Sequence, residues 1–251
     1  MRRAQLLFLL FVLPHCAHVQ RDDLTWVEVD GHWVVAQDTR HGCEGETLDR
    51  TEHRQLGGTV ALEHRAASGF AGGARASLGS GVITSSTLPE ADRSHYLLGS
   101  IGAWVGYDFR YWGVEGGLNF IFSDGALEDD IALPWIRVRG GPDHGAWFEA
   151  SLGPRDGVFD GRFMALGAGF REGLFSGRAG FALLGRPIAD AAGDVSLATD
   201  EEGLDPGAYV EASFALSPSF SLGFGAQLSV APSGWLALRF GLPTWGDEVA
   251  P

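Results

Sequence analysis

The sequence predicts an all-β chain: a single closed antiparallel up-and-down transmembrane β-barrel of about twelve strands. Three observations lead there. From about Trp26 onward apolar and polar residues alternate with a period of two, and no sustained helical period replaces them. The alternating segments, about eleven of them from residue 55 onward, mostly run roughly nine to fourteen residues. That exceeds the five or six residues of an average globular strand and suits the roughly nine to eleven needed to cross a bilayer at a tilt. The connections between segments then alternate between short and mostly longer, the asymmetry of a barrel with tight turns on one side of a membrane and larger loops on the other.

Composition is consistent with this and excludes several classes. A chain of 251 residues, 45% of them hydrophobic, suits one sizeable domain and is no disordered acidic tail. The 37 glycines are spread along the chain, without collagen period or linker tract. The formal net charge is −14, and all 18 fixed positive charges are arginine. Such a chain repels phosphate backbones, so nucleic acid is not an expected partner. The two cysteines, Cys16 and Cys43, belong to no CxxC motif and cannot form a disulfide scaffold.

At the start, Arg2 and Arg3 precede an apolar run from Ala4 to Leu13 broken only by Gln5. That run is too short for a membrane helix and fits the core of a signal peptide, here residues 1–17. Leu13-Pro14-His15-Cys16 resembles the lipobox of bacterial lipoproteins, with His15 standing where a small residue is the rule. The resemblance implies lipidation of Cys16; an ordinary signal with a poor cleavage site is the alternative.

The next segment, 24–37, carries Trp26, Val27, Val29, Trp33, Val34 and Val35. If the long connections are external, the last strand (234–242) and the strand at 56–66 both run downward. The latter then needs an upward partner, which 24–37 supplies, closing twelve strands. The alternation breaks near Asp30-Gly31, and a short periplasmic hairpin there would leave ten. Further on, Leu97, Gly99, Ile101, Ala103, Val105, Tyr107 and Phe109 form one apolar face. Trp112, Val114, Leu118, Phe120 and Phe122 form the next, and Phe220, Leu222, Phe224, Ala226 and Leu228 a late one. Weaker copies fill 74–82, 146–152, 164–170, 175–183, 208–216 and 236–242. Short connections fall near 67–69, 110, 140–144, 171–173 and 217–219; the others near 85–94, 123–130, 154–161 and 186–206.

The opposite faces are mostly Gly, Ser and Ala with isolated charges: Glu63, Arg65, Arg75, Asp108, Glu115, Arg137, Arg139, Glu149, Arg178, Glu211 and Arg239. These are near balance in sign, whereas the excess negative charge lies between strands. Small residues beside charges that must pair suit a narrow lumen, because an unpaired charge away from bulk water is expensive. They are the expected lumen charge network. Tyr96, Tyr107, Phe109, Tyr111, Trp112, Phe122, Trp135, Trp147, Trp235 and Trp245 lie near expected strand ends, where membrane barrels carry aromatic girdles.

The last strand, with Leu236, Leu238 and Phe240, resembles the amphipathic insertion signal of bacterial outer-membrane β-barrel proteins, although a tail follows it to Pro251. The resemblance to those proteins covers about residues 24–245, leaves 246–251 as a tail, and is one of pattern. It implies export, contact with outer-membrane lipid, assembly by the outer-membrane insertion machinery, and no particular activity.

No strong catalytic or ligand motif appears. Ser94 and His95 are adjacent in an expected external loop, and chain neighbours do not face each other well. His41, Cys43 and His53 are zinc-compatible types in a spacing that matches no strong motif. The acidic run from Asp194 to Asp205 lacks the Asp/Gly order of a calcium loop. Both stretches read as solvated loops, so no metal and no cofactor is expected. Three functional classes follow. One is a passive narrow pore or structural surface barrel. The second is an exported soluble or lipid-tethered β-sandwich or binding barrel. The third, a lipid hydrolase, stands behind an expected lack of enzymatic activity. Packing of Leu118, Phe120, Phe224 and Leu228 into an interior would favour the second.

Overall fold

The computed structural model describes residues 23–41, 47–85, 94–109, 111–125, 131–142, 145–155, 161–185, 187–189, 195–197, 204–217, 219–229 and 232–242. The expected signal peptide with Cys16, the loop residue Cys43, most of the acidic run, Trp245 and the 246–251 tail lie outside them.

Fourteen strands follow in chain order: β1 (Leu24–His41), β2 (Thr47–Arg65), β3 (Phe70–Ser85), β4 (Ser94–Asp108), β5 (Trp112–Gly125), β6 (Ile131–Gly140), β7 (Gly145–Leu152), β8 (Arg162–Glu172), β9 (Phe175–Gly185), β10 (Pro187–Ala189), β11 (Val195–Leu197), β12 (Leu204–Ser217), β13 (Phe220–Leu228) and β14 (Ser233–Leu242). Twelve of them close into one barrel of sequential neighbours, sealed by β1 against β14; β10 and β11 pair with each other in the connection between β9 and β12. Every ladder is antiparallel. The barrel therefore has twelve strands rather than ten.

β1 settles the strand count. It pairs in continuous register with β14 from Thr25 to Val34 and with β2 from Leu24 to Arg40. Nothing interrupts it at Asp30-Gly31. Trp26, Glu28, Asp30 and His32 face inward and Val27, Val29, Trp33 and Val35 face outward. The alternation is intact but blurred, because an aromatic stands on the polar face and a glycine on the apolar one.

The outward face is apolar around the whole wall. Leu56, Leu166, Phe181 and Leu228 are 68%, 67%, 77% and 66% exposed, while Ser100 and Asn119 on the inward face are 0% and 1% exposed. Leu118, Phe120, Phe224 and Leu228 are all exposed, so no second sheet or helix among the described residues covers them. Apolar side chains turned out from a closed cylinder are stable where the surrounding medium is hydrocarbon. No helix among the described residues is long and apolar enough to cross a membrane.

The connections also sort by end. At one end 66–69, 109–111, 141–144, 173–174 and 218–219 are brief; at the other the longest is 186–203. In the first brief turn Ala66 N donates to Phe70 O (2.8 Å) and Gly69 N to Ala66 O (2.9 Å). Gly69 sits at φ +93°, and a Cβ there would lie 2.5 Å from the Asp108 carbonyl oxygen, so the turn requires glycine. Aromatics gather on the outside at this end. Phe109 stacks on Trp112 at 3.8 Å between ring centroids, Tyr107 tilts against Phe109 at 4.7 Å, and Phe220 meets Phe240 at 5.2 Å.

Four residues expected in the girdle lie inside instead. Tyr96 and Trp135 are buried within the barrel, and Trp147 and Trp235 line its cavity. Strand parity explains this: each directly neighbours a residue of the outward face, so each must point in.

Candidate functional site

The site grows from the strand register. Directly opposite pairs bring Glu28 to Arg239, Glu115 to Arg137, Arg139 to Glu149, and Glu211 to Arg178. Cross-strand neighbours on one face stand close enough for their side chains to interact, and Glu28–Arg239, Glu115–Arg137 and Glu211–Arg178 are ion pairs. These pairs link around the wall. Arg239 reaches Glu63 (2.8 Å) and lies 3.8 Å from Glu28. Arg65 donates to Glu63 (2.6 Å), to Asp108, and to Glu115 (3.0 Å). Arg137 donates to Glu115 (2.8 Å) and lies 3.7 Å from Glu149. Arg178 donates to Glu149 (2.9 and 3.1 Å) and to Glu211 (2.5 Å), and Arg162 closes the row on Glu211 (2.6 Å). Tyr209 adds a hydroxyl donor to Glu149 (3.2 Å). Arg139 stands 5.7 Å over the Trp147 ring. The register thus produces a belt of alternating sign from β14 through β1, β2, β4, β5, β6, β7, β9 and β12 to β8.

Residues outside the eleven sequence candidates matter as much. Arg162, Glu28, Asp30 and His32 are strand residues whose facing could be read by extending the alternation. Arg155 could not. It lies after β7, in a connection assigned to the loop class, yet it sits 3.5 Å from Glu115 and 5.8 Å over Trp135. Pro154 beside it is fully buried. Asn119 Nδ2 donates to the Pro154 carbonyl and, at 3.3 Å, to that of Arg155; Arg75 donates to the Arg155 carbonyl at 3.0 Å. The start of this connection therefore folds into the barrel. A faint signal existed in the sequence: β7 spans only eight residues, too few to match the height of its taller neighbours.

The interior is unlike at its two ends. A cavity of about 1030 Å³ extends from the rim at Gly173, Leu174 and Phe175 to Asp30, His32, Thr59 and Arg75. Nine arginines and six carboxylates line it among the described residues, together with Trp26, Trp104, Trp147 and Trp235. Toward the long-loop end the inward side chains are packed: Tyr96, Leu98, Ser100 and Ile121 are all buried. His53 belongs there. It meets the Tyr96 hydroxyl, which donates to Gln55 at 3.0 Å. His53 thus sits inside the barrel, not in a metal-binding loop, and no group of three or more potential metal ligands occurs among the described residues. His95 faces outward on β4, with Val82 as its neighbour on β3.

No known protein family description matches this chain, and no curated protein does. Solved structures do. The COG4313 outer membrane channel from Pseudomonas putida F1 is 11% identical, with 92% of this chain and 100% of that chain covered at a TM-score of 0.55. The KdgM porin is 11% identical, covering 86% and 99%, at 0.48. The translocator domain of autotransporter NalP from Neisseria meningitidis is 10% identical, covering 96% and 95%, at 0.49. At such identities the likeness is one of fold, and in fold this chain is similar to the bacterial outer-membrane β-barrels.

Proposed function

We propose that the protein is exported to the bacterial outer membrane and acts there as a passive narrow pore for small polar solutes, without enzymatic activity. The observation that carries the reading is the open interior: a cavity of about 1030 Å³ lined by charged side chains inside a wall that is apolar outside. Charges fixed in a confined aqueous path select solutes by sign and size. Export through residues 1–17, lipidation at Cys16, contact with outer-membrane lipid and insertion by the outer-membrane machinery belong to the same proposal. The test is conductance of the folded protein in a planar bilayer, paired with swelling of liposomes in small sugars. Discrete conductance steps and swelling are expected.

One observation favours a structural surface barrel instead: the packed side chains Tyr96, Leu98 and Ile121 in the long-loop half. Folded, heat-modifiable protein that neither conducts nor permits swelling would move the assignment there. Lipid hydrolysis has less support. His95 lies on the outward apolar face, and fatty-acid release that disappears in Ser94→Ala would be needed to revive it.

A further inference from the structure

We propose that the inward segment 153–155 is the constriction of the lumen and that the Arg155 guanidinium gives it a preference for anions. This inference rests on the pore reading above and deepens it.

The wall itself forces the segment inward. β7 is the shortest barrel strand, ending at Leu152. Gly153 donates to Phe163 O (2.6 Å) and turns the chain at φ +84°, where a Cβ would stand 2.2 Å from the Pro134 carbonyl oxygen. A side chain at 153 would meet backbone, so the tight inward bend depends on glycine. Beyond it the two following carbonyls are gripped by Asn119 of β5 and Arg75 of β3. β3 is four strands round the wall from β7. The segment thus leaves the wall at β7 and lies inside the barrel over β5 and β6, where an arginine from β3 reaches it. The segment sits at the upper limit of the cavity, below the packed half.

The local charge then sets the sign. Arg137 and Arg155 meet here on Glu115, Glu149 stands beside Arg137, and Arg75 reaches the Arg155 carbonyl. Among the described residues nine guanidinium groups and six carboxylates line the cavity that this segment bounds, and a narrow low-dielectric passage magnifies that excess. The division of labour within Arg155 makes the idea testable. Its carbonyl anchors the segment; its side chain carries the field. Changing the side chain should leave the anchor in place.

The experiment uses the full chain, folded in detergent and confirmed by heat-modifiable gel mobility, in bilayers bathed by a potassium chloride gradient. The wild type should show a reversal potential on the chloride side. Arg155→Gln should lower the chloride-to-potassium permeability ratio by about threefold or more. Asn119→Ala, which frees the Pro154 carbonyl and leaves that of Arg155 to Arg75, should raise the single-channel conductance; an unchanged conductance in the folded variant counts against the constriction. A wild-type pore that is non-selective or prefers potassium overturns the inference without any variant. So does an unchanged ratio in folded Arg155→Gln. Complete absence of conductance overturns the pore reading itself, and the constriction with it, so the two failures are distinguishable.

Discussion

Glu149 shows what confinement asks of a single side chain. It is buried, yet it accepts from Arg178 at 2.9 and 3.1 Å and from Tyr209 at 3.2 Å. Removing one member of a buried pair leaves the others uncompensated, at a cost of roughly 3–5 kcal/mol. Glu149→Ala is therefore expected to lower stability by that order in a urea titration followed by tryptophan fluorescence, with a smaller loss when Arg178→Ala accompanies it. On the opposite face the penalty changes kind. Leu166 is 67% exposed, and arginine there would enter hydrocarbon, costing about 2–4 kcal/mol at the bilayer midplane. Leu166→Arg should lower the yield of folded, heat-modifiable protein in lipid vesicles more than in short-chain detergent. At this scale the face of a residue was legible, as for Glu115 and Arg137, because parity alone decides it. The partner was not, because Arg65 meets Asp108 and Glu115 only after the four strands β2 to β5 are brought into register.

Among the elements, β6 and β7 form the seam with the least pairing. Their ladder joins 136–140 to 148–152, so residues 131–135 of β6 have no ladder partner on that side among the described residues. Backbone amides without a ladder partner exchange more readily. Hydrogen exchange in micelles should therefore be faster at 131–135 of β6 than at the fully paired 97–105 of β4; equal protection would contradict the seam. The aromatics teach the complementary lesson. Proximity to a strand end in sequence placed Trp135 and Trp147 in a girdle, whereas strand parity places them within. Quenching by brominated lipid tails separates the two sets: single-tryptophan proteins retaining Trp33 or Trp112 should be quenched, and those retaining Trp104 or Trp135 should not.

For the whole molecule, closure is the central fact. β1 and β14 pair although they stand at opposite ends of the barrel sequence, and that ladder joins the two terminal strands into a closed wall. An open edge in hydrocarbon would leave a row of backbone groups without partners, which a bilayer does not tolerate. The tall side, β1 to β5, spans 14 to 19 residues per strand, and β7 spans eight. This inequality of height, more than any single side chain, is what admits the 153–155 segment to the interior.

Composition and the two-residue period by themselves determined an all-β chain of long two-faced strands, which face of each is apolar, and the alternation of brief and longer connections. These are local properties, written by chirality and the geometry of an extended backbone. Only the tertiary structure decided that β1 closes the barrel as its twelfth strand, which charges meet, and that Pro154 and Arg155 lie inside. Those outcomes depend on pairing between residues far apart in the chain. A loop's course into a lumen is set by the distant side chains, here Asn119 and Arg75, that await its carbonyls.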